Sequence, residues 1–222
     1  MYLPQHFEMG DLDEVATFVD SAGAADLVTV DASGEPGSTL VPVLWDRSGT
    51  DVGAGRYGRL LAHVARMNPQ WDGVVDGQRC LAIVHGPQAY VSPSWYAAKA
   101  EHGRVVPTWN YSAVHLSGTI ELVEDPEELR DLVGWLTDRH EAQRPDPWSV
   151  DDAPPAYVAG QLRAIRGVVV HLDRVGAKAK LSQNRSLADR AGVVAGLLAE
   201  GSGSEVADAM ARALYAESDD EE

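Results

Sequence analysis

A chain of 222 residues with 45% hydrophobic side chains can bury one core of ordinary size, yet its apolar runs break at polar, Gly or Pro residues well short of the ~20 that a membrane-spanning helix needs. The formal net charge is −16, from 34 acids against 18 Lys and Arg, and it is still −11 without the tail acids Glu217, Asp219, Asp220, Glu221 and Glu222. Long-range electrostatics therefore repel DNA and anionic membranes unless bases cluster locally.

The single Cys80 excludes an internal disulfide and, inside Cys80-Leu81-Ala82-Ile83-Val84, reads as a buried structural thiol. The seven histidines lack the paired spacing of a zinc site, and no G-x-S-x-G nucleophile elbow is present. The opening Met1-Tyr2-Leu3-Pro4-Gln5-His6-Phe7-Glu8 has neither the basic patch nor the apolar stretch of a signal peptide. Together these features predict a soluble, cytoplasmic protein.

In chain order, Asp11-Leu12-Asp13-Glu14 reads as a capping box. Leu12, Val15, Ala16 and Val19 then share one face of an amphipathic helix over 12–22. Ala25–Val30, the turn formers Asp31-Ala32-Ser33-Gly34-Glu35-Pro36 and Thr39–Trp45 form a hairpin signature. Leu60–Val64 is a strand, and Asn68-Pro69 starts a brief helix with proline in its first turn. Arg79–Val84 and Ala89–Val91 predict a second hairpin around Gly86-Pro87. Val114–Val123 alternates strictly: Val114, Leu116, Ile120 and Leu122 face one way, His115, Ser117, Thr119 and Glu121 the other, as in a half-buried antiparallel strand.

Asp125-Pro126-Glu127-Glu128 opens a helix to about Gln143, with acids at its positive end. Pro145, Pro147, Pro154 and Pro155 mark an irregular connection. A short helix near Ala156–Ile165 precedes a strand over Val168–Leu172, and helices over Leu187–Glu200 and Glu205–Ala216 follow, separated by Gly201-Ser202-Gly203. Antiparallel strands with interspersed helices give an α+β class, not a doubly wound sheet.

Gly53-Ala54-Gly55-Arg56-Tyr57-Gly58 matches G-x-G-x-x-G, but the polar loop Asp46-Arg47-Ser48-Gly49-Thr50-Asp51 stands where a dinucleotide site needs a buried strand. A glycine-rich hairpin loop accounts for it better. Leu61–Trp71 passes from a strand to a helix start and groups His63, Arg66 and the amides near Asn68, which suits phosphate as well as an ordinary surface arginine and capping asparagine. Arg174, Lys178, Lys180, Arg185 and Arg190 fall within 17 residues that hold one acid, Asp189. Its core, Lys180-Leu181-Ser182-Gln183-Asn184-Arg185, is either a donor-rich flavin or phosphate site or a basic surface loop before a helix. Tyr90, Trp95, Tyr96, Trp109 and Tyr111 suit stacking on a planar cofactor, a dimer core, or packing alone.

Four segments in this order resemble the PaiB family: His63–Trp71, Gly86–Tyr96, Val106–Tyr111 and Lys180–Arg185, together with the opening Met1–Phe7. The resemblance covers about residues 1–198 and leaves 199–222, a C-terminal helix and acidic tail, outside it. Members are described as FMN-binding negative transcriptional regulators. The resemblance implies an antiparallel, Greek-key split β-barrel with peripheral helices, of the pyridoxamine phosphate oxidase type. It also implies a homodimer with FMN in a groove at the interface. Carried over by position, the Ser38–Val43 strand, with Thr39 and Leu40, runs along the flavin edge. His63, Arg66 and Asn68 sit near the phosphate. Trp109 and Asn110 line the pocket, and Lys180, Ser182, Gln183 and Arg185 approach the ring or ribityl chain, including from the second subunit.

Three functional readings follow: an FMN-binding regulator acting through a partner or a small metabolite, a flavin-dependent oxidoreductase of unknown substrate, and a haem- or deazaflavin-binding relative on the same barrel. No helix-turn-helix is legible, and the charge opposes contact with phosphate backbones. The isolated protein is therefore expected to show no sequence-specific DNA binding at physiological salt; a salt-sensitive footprint with a Kd of about 10⁻⁸–10⁻¹¹ M on any promoter would overturn this.

Overall fold

The computed structural model describes residues 1–48, 55–201 and 203–219. Part of the G-x-G-x-x-G segment and the end of the acidic tail therefore lie outside the described residues. The helices are α1 (Leu12–Ala22), α2 (Ala98–Glu101), α3 (Pro126–Glu141), α4 (Pro155–Leu162), α5 (Leu187–Glu200) and α6 (Ser204–Asp219). The strands are β1 (Ala24–Val30), β2 (Pro36–Pro42), β3 (Leu44–Asp46), β4 (Arg59–Ala65), β5 (Arg79–Val91), β6 (Thr108–Val123) and β7 (Ile165–Lys180), in one antiparallel sheet of order β2-β1-β5-β6-β7-β4-β3. The chain divides into two compact units. A barrel unit holds Ala16–Val84 and His115–Val175; a helical unit holds Met1–Val15, His85–Val114 and Gly176–Glu222.

In the barrel unit, β1 pairs with β2 from Ala24↔Pro42 to Val30↔Pro36. The Asp31 carboxylate closes the turn, accepting from Ser33 N, Ser33 Oγ and Glu35 N at 2.8, 2.6 and 2.9 Å. These bonds, the Ser33 hydroxyl first, hold Asp31 below the usual carboxylate range. The second strand begins at Pro36, earlier than the alternation suggests. Proline is tolerated there because β2 is an edge strand and loses no ladder bond. The expected single strand over Thr39–Trp45 divides at Val43. β2 pairs with β1, whereas β3 pairs with β4 through Leu44↔Leu61 and Asp46↔Arg59.

That division closes the sheet of the barrel unit. β2 and β3 are its two edges, and one residue joins them. Two peptide steps reach at most about 7 Å, while six inter-strand spacings of a flat sheet span roughly 29 Å. Only a sheet curled into a barrel satisfies both. Leu27, Leu60, Ala82, Leu116, Ile120, Val168 and Leu172 fill it, all essentially inaccessible. Outside it, Leu129, Leu132 and Leu136 of α3 pack on Leu61, Val123 and Val169. Asp125 caps α3 by accepting from Glu127 N and Glu128 N.

Three elements differ from expectation. Gly86-Pro87 makes no turn, and β5 runs unbroken through it. Cys80, Ala82 and Val84 are its buried residues before that point and Ala89 and Val91 after it, so the buried face changes phase across the pair. β6 starts at Thr108, earlier than expected. Over Val114–Val123 the alternation holds, with Val114, Leu116 and Ile120 buried, His115 and Thr119 half-buried and Glu121 exposed, and only Ser117 of the polar face is covered. A Cβ on Gly118 would lie 2.0 Å from the His171 carbonyl oxygen, so the β7 backbone needs glycine there. β7 extends to Lys180 and takes Lys178 and Lys180 out of the expected loop. Cys80 is buried as expected, and burial pushes its thiol up to about 12.

In the helical unit, Ala89, Val91, Tyr96 and Leu181 form one cluster with Val193 and Leu197 of α5 and Val206, Ala207 and Met210 of α6. The last helix thus belongs to a packed core. Ser186 caps α5 by accepting from Asp189 N, and Gly201 ends it at φ +67°. Trp95 lies on α5 where glycine makes room: a Cβ on Gly192 would meet the Trp95 carbonyl oxygen at 2.1 Å, and one on Gly196 would enter the indole.

Glycine inside a helix ordinarily costs about 0.5–1 kcal/mol relative to alanine. Gly134→Ala in α3, with nothing within 4 Å of the new methyl, is expected to raise stability by that amount. Gly192→Ala, forced against backbone, is expected to lower it by roughly 1–3 kcal/mol. Urea midpoints of the two variants check the opposite signs.

Candidate functional site

The sequence-predicted residues fall into two groups, one in each unit. In the barrel unit, Thr39 faces inward on β2, and its neighbour Leu40 is 66% exposed. Asn68 Nδ2 donates to Thr39 Oγ1 at 2.8 Å, and Thr39 Oγ1 in turn donates to Gln70 Oε1. Gln70 Nε2 points at the carbonyls of Leu27 and Gly37 and at Thr29 Oγ1, at 2.8, 3.1 and 3.2 Å. A Cβ on Gly37 would press on Gln70 at 2.9 Å, so glycine lets this amide sit flat on the β1–β2 hairpin.

The helix expected at Asn68-Pro69 is a single 3-10 turn, Pro69–Trp71. Its amides are already used: Gln70 N donates to Asn68 Oδ1, Trp71 N to Asn68 O and Asp72 N to Pro69 O. The free amide donors anticipated there do not exist. Arg66 Nη2 meets Glu124 Oε2 at 2.6 Å and Ile165 O at 3.1 Å, while Arg166 Nε takes the other Glu124 oxygen at 2.5 Å. Arg66, then Arg166, hold the Glu124 carboxyl below its usual range. His63 on β4 is half-buried; its Nδ1 is enclosed without a hydrogen-bond partner, and burial pushes the imidazole pKa down. At neutral pH His63 therefore carries no positive charge.

In the helical unit, β6 and the turn after β7 are tied together. Lys180 Nζ donates to Thr108 Oγ1 at 2.5 Å and to the Trp109 carbonyl at 2.6 Å. Fully buried Asn110 lies against Ser182, with Nδ2 and Oδ1 at 3.0 and 3.1 Å from the hydroxyl, and Nδ2 is 3.3 Å from Met210 Sδ. Ser182 sits at φ +64°, a left-handed conformation that costs a non-glycine residue about 1 kcal/mol or more. The Asn110 contact holds it there. Gln183 closes the turn from within, accepting from Leu181 N at 2.7 Å and donating to Ala179 O at 2.6 Å. Trp109 is 47% exposed, braced by Gln88 Oε1 at 3.1 Å and by a tilted contact with Tyr90.

Lys178, which sequence placed in the basic cluster but not among the site residues, is 6% exposed. Its ammonium donates to the Tyr2 carbonyl at 3.1 Å and lies 5.3–5.8 Å from the rings of Tyr2, Phe7 and Tyr111. Arg185 lies over the Tyr96 ring at 5.0 Å, and the enclosed Tyr96 hydroxyl has no hydrogen-bond partner. Among the described residues no carboxylate pairs with Lys178, Lys180 or Arg185. Burial, then the charges of Lys178 and Arg185, push the Lys180 pKa down. This is a local excess of positive charge in an acidic chain. Gln70 and Glu124 are the residues that sequence reasoning missed. Gln70 falls inside the His63–Trp71 segment, whereas Glu124 meets Arg66 from 58 positions away.

Residues 1–174 match the protein family described as "Putative FMN-binding domain". "Protease synthase and sporulation protein PAI 2" of Bacillus subtilis is 30% identical over 194 residues, 87% of each chain. The chain belongs to the PaiB-type FMN-binding family. Among solved structures, the flavocytochrome Anf3 of Azotobacter vinelandii aligns with a TM-score of 0.56 at 14% identity, covering 80% of this chain and 72% of that one. The conserved hypothetical protein Rv2991 of Mycobacterium tuberculosis aligns with a TM-score of 0.55 at 16% identity, covering 83% and 92%. These likenesses agree with the closed sheet of the barrel unit, and the PaiB-type chain has the split-barrel fold. No described helix is long and apolar enough to cross a membrane.

Proposed function

We propose that this PaiB-type chain binds FMN as an isologous homodimer, and that it serves a regulatory role through a partner or metabolite without direct DNA contact. The observation that carries the FMN reading is the trio Lys178, Lys180 and Arg185, buried or half-buried cations that no described carboxylate neutralises. A dianionic phosphate supplies what they lack, through hydrogen bonds between charged groups worth on the order of 1.5–3 kcal/mol each. The enclosed Tyr96 hydroxyl beside Arg185 is a further donor awaiting an acceptor.

FMN when bound would supply redox chemistry and a visible absorbance; the side chains of the protein bind and orient it. Lys180, Ser182, Gln183 and Arg185 would hold its polar groups. Asn110 would act by fixing the turn that carries Ser182, and Trp109 would offer an exposed ring. Thr39, Leu40, His63, Arg66 and Asn68 form the competing group for the phosphate. There Arg66 must share its charge with Glu124, and neutral His63 adds none. An absorbance spectrum of the purified protein separates this reading from haem binding.

Lys180→Ala or Arg185→Ala is expected to weaken FMN roughly 10- to 100-fold, at about 1.4 kcal/mol per decade, with little loss for riboflavin. A selective loss with Arg66→Ala instead would move the phosphate to the barrel group. Because Lys180 binds an anion only while protonated, wild-type affinity should fall as pH rises through its lowered pKa. Lys180→Arg, which keeps its charge, should flatten that slope. Flavin fluorescence titrations measure all of these.

The dimer reading rests on the family and on Tyr90, Val106 and Trp109, each 47–62% exposed in the helical unit. Light scattering should return twice the 23.8 kDa chain mass at micromolar concentration. A monomer mass would end that reading.

A further inference from the structure

A cavity of about 450 Å³ opens in the barrel unit between α3 and α4, within the roughly 300–1,000 Å³ of small-molecule sites. Its apolar walls are Pro126 and Leu129 of α3 and Ala159 and Leu162 of α4; Arg66, Glu124 and Arg163 supply its polar groups. Arg66 holds one Glu124 oxygen and Arg166 the other. Arg163, exposed just past the end of α4, makes no ion pair with a carboxylate among the described residues. The cavity thus joins an apolar wall to one uncompensated guanidinium.

We propose that this cavity binds a small organic carboxylate with an apolar body, its carboxylate on Arg163 and its hydrocarbon against Leu129 and Leu162. A planar guanidinium pairs with carboxylate through two parallel N–H donors, which an ammonium cannot match. A neutral amphiphile would leave Arg163 unpaired, and a cationic one would be repelled. Inorganic phosphate would leave the apolar wall uncovered. The proposal stands apart from the favoured flavin reading, in which Lys178, Lys180 and Arg185 meet the phosphate. Of the cavity's lining only Arg66 belongs to the competing phosphate group, and neither Arg163 nor the α3–α4 wall is assigned to FMN.

The test is calorimetric titration of the full chain with octanoate, octanol and octylammonium, with and without saturating FMN. Octanoate should bind saturably at one per chain, and octanol and octylammonium at least about tenfold more weakly. Arg163→Ala, an exposed change that asks nothing of the core, should weaken octanoate about tenfold. Ala159→Trp, also at an exposed position, should block the cavity. FMN affinity should be unchanged in both variants, and loss of FMN binding by the wild type would leave the octanoate result standing. Octanol binding as tightly as octanoate, octanoate binding unchanged in Arg163→Ala, or no saturable binding in the millimolar range would each overturn the proposal.

Discussion

One residue, Val43, separates the two edge strands of the sheet, and the barrel unit is arranged around that short span. Val43 is 4% exposed, and its amide donates to Gly23 O at 3.0 Å. The joint is thus anchored on both its polar and its apolar side. β2 still pairs on one side only, with β1, and the prolines Pro36 and Pro42 at its two ends suit such an edge, the usual hazard of an antiparallel sheet. Glycine permits close packing on both faces of the sheet. A methyl on Gly118 would strike the β7 backbone, and one on Gly167 would strike Val123, Leu129 and Leu132 on the outer face under α3. Gln70 then fastens Thr39 and the hairpin carbonyls beside the same joint.

The helical unit answers a different constraint, which is how to bury ammonium groups without carboxylates. Setting Lys178 against a carbonyl and three aromatic faces offsets part of its desolvation, and the N-terminal segment supplies two of those rings. Lys180 relies on Thr108 and the Trp109 carbonyl. Neither arrangement removes net charge. In a chain of −16, acids were plentiful enough to pair with these groups, and their absence there is the feature that an anionic ligand explains best. Arg66 shows the contrast, since Glu124 meets it directly.

Much of this was legible in the sequence, and the failures have common causes. α1 and α3 were readable because Asp11 and Asp125 open them with acids in the first turn, and α5 because Gly201-Ser202-Gly203 marks its end; local signals decide helix ends. Gly86-Pro87 misled because a glycine–proline pair signals a turn unless the strand uses it to change its buried face, and only neighbouring strands impose that. The alternation of β6 was real, but alternation cannot reveal that Ser117 is covered. The candidate residues were found as motifs; their partners were not. Asn110 and Ser182 meet across 72 positions, and Arg66 and Glu124 across 58. No local pattern encodes such pairings.

The interleaving of the two units bears on how the chain is made. The barrel unit is complete once Val175 has been synthesised, close to where the family match ends at residue 174. The helical unit must wait for α5 and for α6, which ends at Asp219, about 44 residues beyond Val175. At about 5–20 residues per second that interval lasts roughly 2–9 s. Until it closes, Ala89, Val91 and Tyr96 lack the full cover of α5 and α6. The nascent chain therefore carries a finished barrel and an apolar strand end at the same time, and the ribosome-bound stage is when this protein is most open to chaperones and to misassociation.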